Sequence, residues 1–314
     1  MKKQNPYIHS NTNKRYYTFD HFTKTVYGRK CAKLPVDIGL TCPNIDGSKG
    51  YGGCIYCSPR GSGDFSAGAG LSVTEQLDAA ARMTEKKWGV TGYIPYFQAH
   101  TNTYGQTEYL RRCFFEAASY PGAVAVSIAT RADALPDGVL RLLEELSKVT
   151  DVFVELGLQT SSERTAALIN RCMTIPEFIS GYKSLGDTGV KRCIHLINGL
   201  PGEDDEQMIG TAKFVSGLLP DMVKIHMLYL TNKTKAAEMY KNGEFRLLEL
   251  EEYVSITARQ LTFLPTDTVI GRLTGDAPLS ELAAPLWTRK KVCVLNEIDK
   301  YMEKYDLWQG KECK

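Results

Sequence analysis

The chain has 314 residues, 43 % of them hydrophobic and 24 % charged, with a formal net charge of +2. That size suits one large α/β domain with additions, and the composition excludes wholesale disorder. No stretch reaches the roughly 18 apolar residues of a membrane helix and the first residues form no secretory signal, so a cytoplasmic protein with no membrane partner is expected. Its nine cysteines are then expected as reduced thiols or metal ligands.

Residues 1–33 set eight Lys and Arg residues against the single acid Asp20, a local charge of +7, interleaved with Tyr7, Tyr16, Tyr17, Phe19, His21, Phe22 and Tyr27. Such an arm can grip phosphates and stack on bases, or it can be a solvated edge whose aromatics pack on the domain. From residue 34 to 230 short apolar runs alternate with amphipathic ones. Strands are expected over 34–40, 93–99, 123–129, 152–158, 190–197 and 222–230. Helices are expected over 74–88, 107–119, 136–148, 162–170, 175–185 and 204–218, with start signals at Ser72, Pro136 and Asp204. Six βα units predict a parallel sheet, a partial (βα)6 TIM-like barrel of the α/β class, whose chemistry sits at the carboxyl ends of its strands. Residues 231–314 read as a mainly helical extension, with helices over 234–242, 248–264 and 287–307 around a short strand near 268–270.

The first strand leads into a loop with the spacing Cys42-x11-Cys54-x2-Cys57, and five Gly or Pro residues lie between its first two cysteines. Three thiolates held close together need a soft metal or cluster to offset their repulsion, and three rather than four leave one metal site open. A structural zinc knuckle is the competing reading, with Cys31 or His100 as fourth ligand. Cys113, Cys172, Cys193 and Cys293 fall in regular runs and read as small buried apolar residues. Cys313 reads as uninvolved.

The three-cysteine loop, whose last pair brackets Tyr56, resembles that of the radical S-adenosylmethionine (SAM) enzymes, with a first gap longer than their usual Cys-x3-Cys-x2-Cys. An expanded gap is also found in the radical domain of the Elongator catalytic subunit, which acts on the wobble uridine of tRNA. A group of bacterial radical SAM proteins is similar over nearly the whole chain. The similarity lies in Asp37-Ile38-Gly39-Leu40-Thr41-Cys42-Pro43-Asn44, Tyr96-Phe97-Gln98-Ala99, Glu155-Leu156-Gly157-Leu158-Gln159, Asn198-Gly199-Leu200-Pro201-Gly202-Glu203 and Pro285-Leu286-Trp287.

This resemblance implies a [4Fe-4S] cluster on Cys42, Cys54 and Cys57 and bound SAM, with Tyr56 near the adenine. Gln98 stands where the family has a Gly-Gly-Glu-like stretch on the methionyl amino group. Gln159 and His195 are implied at the ribose, and Arg171 at the methionyl carboxylate, which a guanidinium grips in bidentate fashion. Thr130 or Arg131 is expected at the cofactor or the substrate, unless Arg131 is taken up by an ion pair with Asp133. Lys224 and His226 share one strand face, which suits substrate binding. The substrate implied is a tRNA whose 5-carboxymethylaminomethyl wobble uridine loses its carboxymethyl part, with a reductase such as flavodoxin or ferredoxin as electron donor. A small metabolite or peptide substrate, and a non-enzymatic zinc- or cluster-stabilised binding protein, are the other two readings.

Overall fold

The computed structural model describes residues 5–10, 12–61, 63 and 66–313; Lys2 and Lys3 of the expected arm lie outside the described residues. A short helix, α1 (Phe19–Val26), precedes the first strand, β1 (Cys31–Val36). Then follow α2 (Val73–Trp88), β2 (Gly92–Phe97), α3 (Thr107–Ala118), β3 (Ala125–Thr130), α4 (Asp137–Ser147) and β4 (Asp151–Gln159). After these come α5 (Glu163–Leu168), α6 (Ile175–Ser184), β5 (Lys191–Asn198), α7 (Asp205–Ser216) and β6 (Met222–Met227). The C-terminal part holds β7 (Leu230–Thr231), α8 (Lys235–Lys241), α9 (Leu250–Phe263), β8 (Val269–Arg272), β9 (Leu282–Ala284) and α10 (Lys291–Lys304). Helix starts follow the expected chemistry: Ser72, Thr174 and Asp204 each close a capping box with the residue three positions on. No described helix is long and apolar enough to cross a membrane.

Seven strands form one parallel sheet in the order β1-β2-β3-β4-β5-β6-β8, a partial TIM-like barrel. The sequence reading gave six. The seventh is the short strand expected in the C-terminal extension, which pairs in parallel with β6. β7 and β9 form a separate two-stranded antiparallel ribbon. β1 starts three residues and ends four residues earlier than expected; it ends at Val36 because Asp37 Oδ1 accepts the Gly39 amide at 2.9 Å and Gly39 takes a left-handed turn at φ 71°. Pro35 is tolerated because β1 is an edge strand.

The chain divides into two compact units. The first comprises Thr23–Gly157 and Arg171–Cys193. Here Lys33 on β1 meets Glu155 on β4, three strands away. Three strand spacings amount to about 14 Å in a flat sheet, so these side chains touch only because the sheet curls with both on its concave face. The convex face carries α2, α3 and α4 on a core that includes Leu34, Leu77, Phe97, Phe114, Val126 and Leu142.

The second unit comprises Met1–Phe22, Leu158–Asn170 and Ile194–Lys314. In it the expected arm is folded away. Tyr7, Tyr16 and Phe22 are buried, and the Tyr7 hydroxyl donates to the Thr266 carbonyl at 2.7 Å. Lys14 pairs with Asp299, Arg15 pairs with Asp306 at 3.0 Å, and the Ile270 amide donates to the Tyr17 carbonyl at 2.7 Å. These aromatics are therefore core, and they cannot stack on bases.

Gly181 in α6 faces the Ala132 carbonyl so closely that a methyl group there would collide with it. Gly181→Ala is expected to destabilise the protein by about 2 kcal/mol through overpacking, read as a lowered urea midpoint with unchanged slope.

Candidate active site at the cysteine loop

Residues 42–57 form a loop at the carboxyl end of β1 that is held by its own backbone. The Cys42 carbonyl accepts the Ile45 amide at 2.8 Å, the Pro43 carbonyl accepts the Lys49 amide at 2.8 Å, and the Asn44 carbonyl accepts the Gly53 amide at 2.8 Å. Lys49 ties the loop to α6 through Glu177 at 2.7 Å. Asn44 Nδ2 donates to the Cys54 sulfur at 3.5 Å, and Cys57 and Tyr56 also hydrogen-bond to that sulfur. Gly50 is required here, because a methyl group on it would fall 2.6 Å from the Cys172 sulfur.

The electrostatics favour thiolate. The Cys57 hydrogen bond, the Tyr56 hydroxyl, the Arg131 charge and Asn44 together outweigh burial and lower the Cys54 thiol to about 6. Burial, followed by the charges of Cys54 and Cys57, holds the Tyr56 phenol well above its ordinary range, so it stays a donor. Arg131, just beyond β3, is the central cation. Its Nε and Nη2 grip both oxygens of Asp133 at 2.8 Å, Nη1 donates to the Arg171 carbonyl at 2.8 Å, and Nη2 donates to the Cys172 carbonyl at 3.0 Å. Burial opposes the Arg131 charge, but Asp133 and then Cys42 and Cys54 more than offset that and push it up. The Arg131–Asp133 ion pair that the sequence offered as an alternative is present, as a buried clamp on the turn after α5.

Arg171 in that turn is 1 % exposed, donates from Nε to the Met173 carbonyl at 2.9 Å, and bears on Tyr56 electrostatically. Cys172 was expected to be buried core. It is instead half-exposed, left-handed at φ 49°, and within electrostatic reach of Cys54 and Cys42. Cys293 is exposed, another departure, whereas Cys113 and Cys193 are buried as expected. Cys31 stands at the amino end of β1, the opposite end from the loop, so it cannot complete a zinc site there. Burial lowers His100, whose ring packs on Gly61.

The remaining expected residues lie at strand ends. Gln98 follows β2, and its buried Nε2 has no hydrogen-bond partner among the described residues. Thr130 ends β3, and its hydroxyl is bonded to Thr103. In the second unit, Gln159 ends β4 at φ 68° in a tight turn closed by the Thr160 amide on the Leu158 carbonyl at 2.9 Å. Its buried Oε1 also has no partner among the described residues. A non-glycine residue in this backbone conformation with an unsatisfied amide is strained. Thr160 is anchored on Glu203. The His195 and His226 rings lie 5.6 Å apart. Lys224, on the same strand as His226, is buried.

Two family descriptions match the chain: the "Radical SAM superfamily" over residues 49–215 and the "Radical_SAM C-terminal domain" over residues 220–304. The chain belongs to the radical SAM superfamily. Among its relatives, the protein YtqA of Bacillus subtilis (strain 168) is 40 % identical over 311 residues, covering 99 % of this chain and 97 % of YtqA. The tRNA uridine(34) acetyltransferase of Methanocaldococcus jannaschii is 29 % identical over 194 residues, 61 % of this chain and 34 % of that protein. The solved structure of Elp3 from Methanocaldococcus infernus, with an N-terminal deletion, shares the fold at a TM-score of 0.68 and 23 % identity. That likeness covers 89 % of this chain and 64 % of the Elp3 chain.

This radical SAM chain is therefore an enzyme whose family cofactors are a [4Fe-4S] cluster and SAM. Its residues fit them. The loop offers three thiols, one with its acidity raised by hydrogen bonds and a buried guanidinium, and the ends of β2 and β4 offer an amide donor and an amide acceptor that the protein leaves unused. The superfamily match begins at residue 49, after Cys42, so this third thiol stands on its place in the loop and its reach to Arg131.

After anaerobic reconstitution, wild type is expected to hold about four irons per chain. Cys42→Ala, Cys54→Ala and Cys57→Ala each lose them, whereas Cys113→Ala and Cys293→Ala keep them. Arg131→Met, which removes an outer-shell charge, weakens iron retention about tenfold in a chelator challenge.

Proposed function

We propose that this radical SAM enzyme modifies tRNA at the wobble uridine, removing the carboxymethyl part of a 5-carboxymethylaminomethyl group to leave 5-aminomethyl(-2-thio)uridine. The observation that carries this reading is the similarity to a protein named for tRNA uridine 34 over 61 % of the chain. What carries over is the common object, uridine 34 of a tRNA. The acetyl transfer does not, since the similarity spans 34 % of that relative. The basic arm is not part of the support. Its Lys14 and Arg15 are engaged in ion pairs, and its exposed Lys24, Arg29 and Lys30 lie ahead of β1, at the end of the strand away from the cysteine loop.

In this reading Cys42, Cys54 and Cys57 hold the cluster, and Asn44, Tyr56 and Arg131 stabilise their negative charge. Arg171 takes the methionyl carboxylate, Gln98 donates to the cofactor, and Gln159 accepts from the ribose beside His195. Cluster and SAM, when bound, would supply radical chemistry able to take hydrogen from an unactivated C–H bond, here that of the carboxymethyl carbon, with the cleavage of SAM to methionine and 5′-deoxyadenosine taking up the two electrons removed from the C–N unit. Water then hydrolyses the oxidised unit, so the two carbons leave as glyoxylate, and the protein's task is to aim the chemistry at that one carbon and to keep stray hydrogen donors away. The electron comes from a cytoplasmic reductase such as flavodoxin or ferredoxin.

Nucleoside mass spectrometry of total tRNA from a strain lacking the gene tests the reading. A wobble-uridine precursor is expected to accumulate and to disappear when wild type is restored, but not with Cys57→Ala. An unchanged modification profile would overturn the tRNA substrate and point to a metabolite or peptide. Binding of tRNA to the purified protein is also expected to fall steeply as salt rises from 50 to 200 mM, as phosphate contacts require.

A further inference from the structure

The concave face of the first unit carries a charged group that the cysteine loop does not use. Lys33 on β1 is paired with Glu155 on β4, and its Nζ donates to Ser127 Oγ on β3 at 3.1 Å. The Ser127 hydroxyl in turn donates to Glu155 Oε1 at 2.6 Å. Two rings flank the ammonium: Nζ lies 4.7 Å from the centre of Tyr96 on β2 and 5.9 Å from that of Phe153 on β4. The Glu155 side chain is fully enclosed, whereas Lys33 keeps 17 % exposure, so solvent reaches the pair from one side. Two residues beyond Tyr96, on the same face, stands Gln98 with its unused buried amide donor.

Barrel interiors are ordinarily filled by Val, Ile and Leu. A buried ion pair there is a poor source of stability, because desolvation takes back most of the attraction. This pair is also not sealed, and it is bordered by aromatic faces that suit a second cation. A ligand with a single charge would draw off one member of the pair and leave the other without its opposite charge across the sheet. A ligand carrying both signs close together can replace the internal pairing with two external ones while the buried net charge stays zero.

We propose that Lys33, Ser127 and Glu155 form a subsite for a zwitterionic aminoacetate group of the substrate. The ligand carboxylate lies against Lys33, and its ammonium lies against Glu155 and the Phe153 and Tyr96 rings. The inference rests on the wobble-uridine reading, for a carboxymethylaminomethyl side chain is an N-substituted glycine and carries both charges one carbon apart. It goes further in naming the side chains that recognise it.

The test uses the reconstituted full chain and anticodon stem-loop RNAs that differ only at the wobble position, which is either 5-carboxymethylaminomethyluridine or unmodified uridine. Wild type is expected to bind the zwitterionic RNA about tenfold more tightly, as contacts to charged groups provide. Lys33→Met alone strands Glu155 and is at risk of misfolding. The double variant Lys33→Met/Glu155→Leu removes both charges together, and its thermal midpoint and iron content check the fold. In that variant the ratio of affinities is expected to fall to about one, with KM for the zwitterionic RNA raised more than kcat is lowered. A folded double variant that keeps the wild-type preference would overturn the subsite and leave the pair a structural one. So would a wild type that binds the two RNAs equally. A wild type that prefers the zwitterionic RNA yet leaves it unaltered supports the subsite and sinks the proposed reaction.

Discussion

One buried guanidinium organises the cysteine loop. Arg131 leaves the end of β3, closes on Asp133 with two parallel hydrogen bonds, and spends its remaining donors on the carbonyls of Arg171 and Cys172. It thereby fixes the turn after α5 against the loop after β1 and sets a permanent positive charge beside Cys42 and Cys54. The bidentate fork matters, since an ammonium could neither match a planar carboxylate nor reach two carbonyls at once. Asp133 keeps the site from carrying excess positive charge before any ligand arrives. The Arg131 charge adds to the acidity that the Cys57 and Tyr56 hydrogen bonds give Cys54, and the guanidinium's hold on the Arg171 carbonyl places that residue.

Much of this organisation was legible in the chain, for reasons that can be named. Two helix starts were visible because Ser72 and Asp204 cap through side chains only three residues from their partners. The cysteine loop was visible because metal ligation demands a spacing that chance rarely supplies. What escaped depends on distant contacts. β8 is four residues long and is a strand of the main sheet only because β6 offers it an edge. The end of β1 was misplaced because Asp37 and Gly39 turn the chain where an apolar run continues. Cys172 looked like a core residue because nothing local signals its left-handed backbone, which Arg131 holds from forty-one residues away.

The aromatic arm teaches the converse. Its composition gave two readings of equal plausibility, and local sequence could not separate them. The difference lies in Thr266, Ile270, Asp299 and Asp306, more than two hundred residues downstream, which supply the carbonyl, the amide and the carboxylates that absorb it. Charge and aromaticity in a short segment describe what it can bind, and the rest of the chain decides whether it is still available.

That arrangement has a consequence for how the protein is made. Tyr7, Tyr16 and Tyr17 leave the ribosome well before the residues that receive them, which come about 250 positions later, at roughly 5–20 residues per second a delay of some ten to fifty seconds. Through that interval the earliest tyrosines have no native surface to cover them. The strands of the parallel sheet meanwhile emerge in the order in which they lie side by side, with β8 as the last. The N-terminal segment thus completes its packing late although it is synthesised before the sheet. A chain halted before residue 270 would present its aromatic arm as a sticky, unassembled end, the kind of exposed apolar surface that chaperones hold and proteases remove.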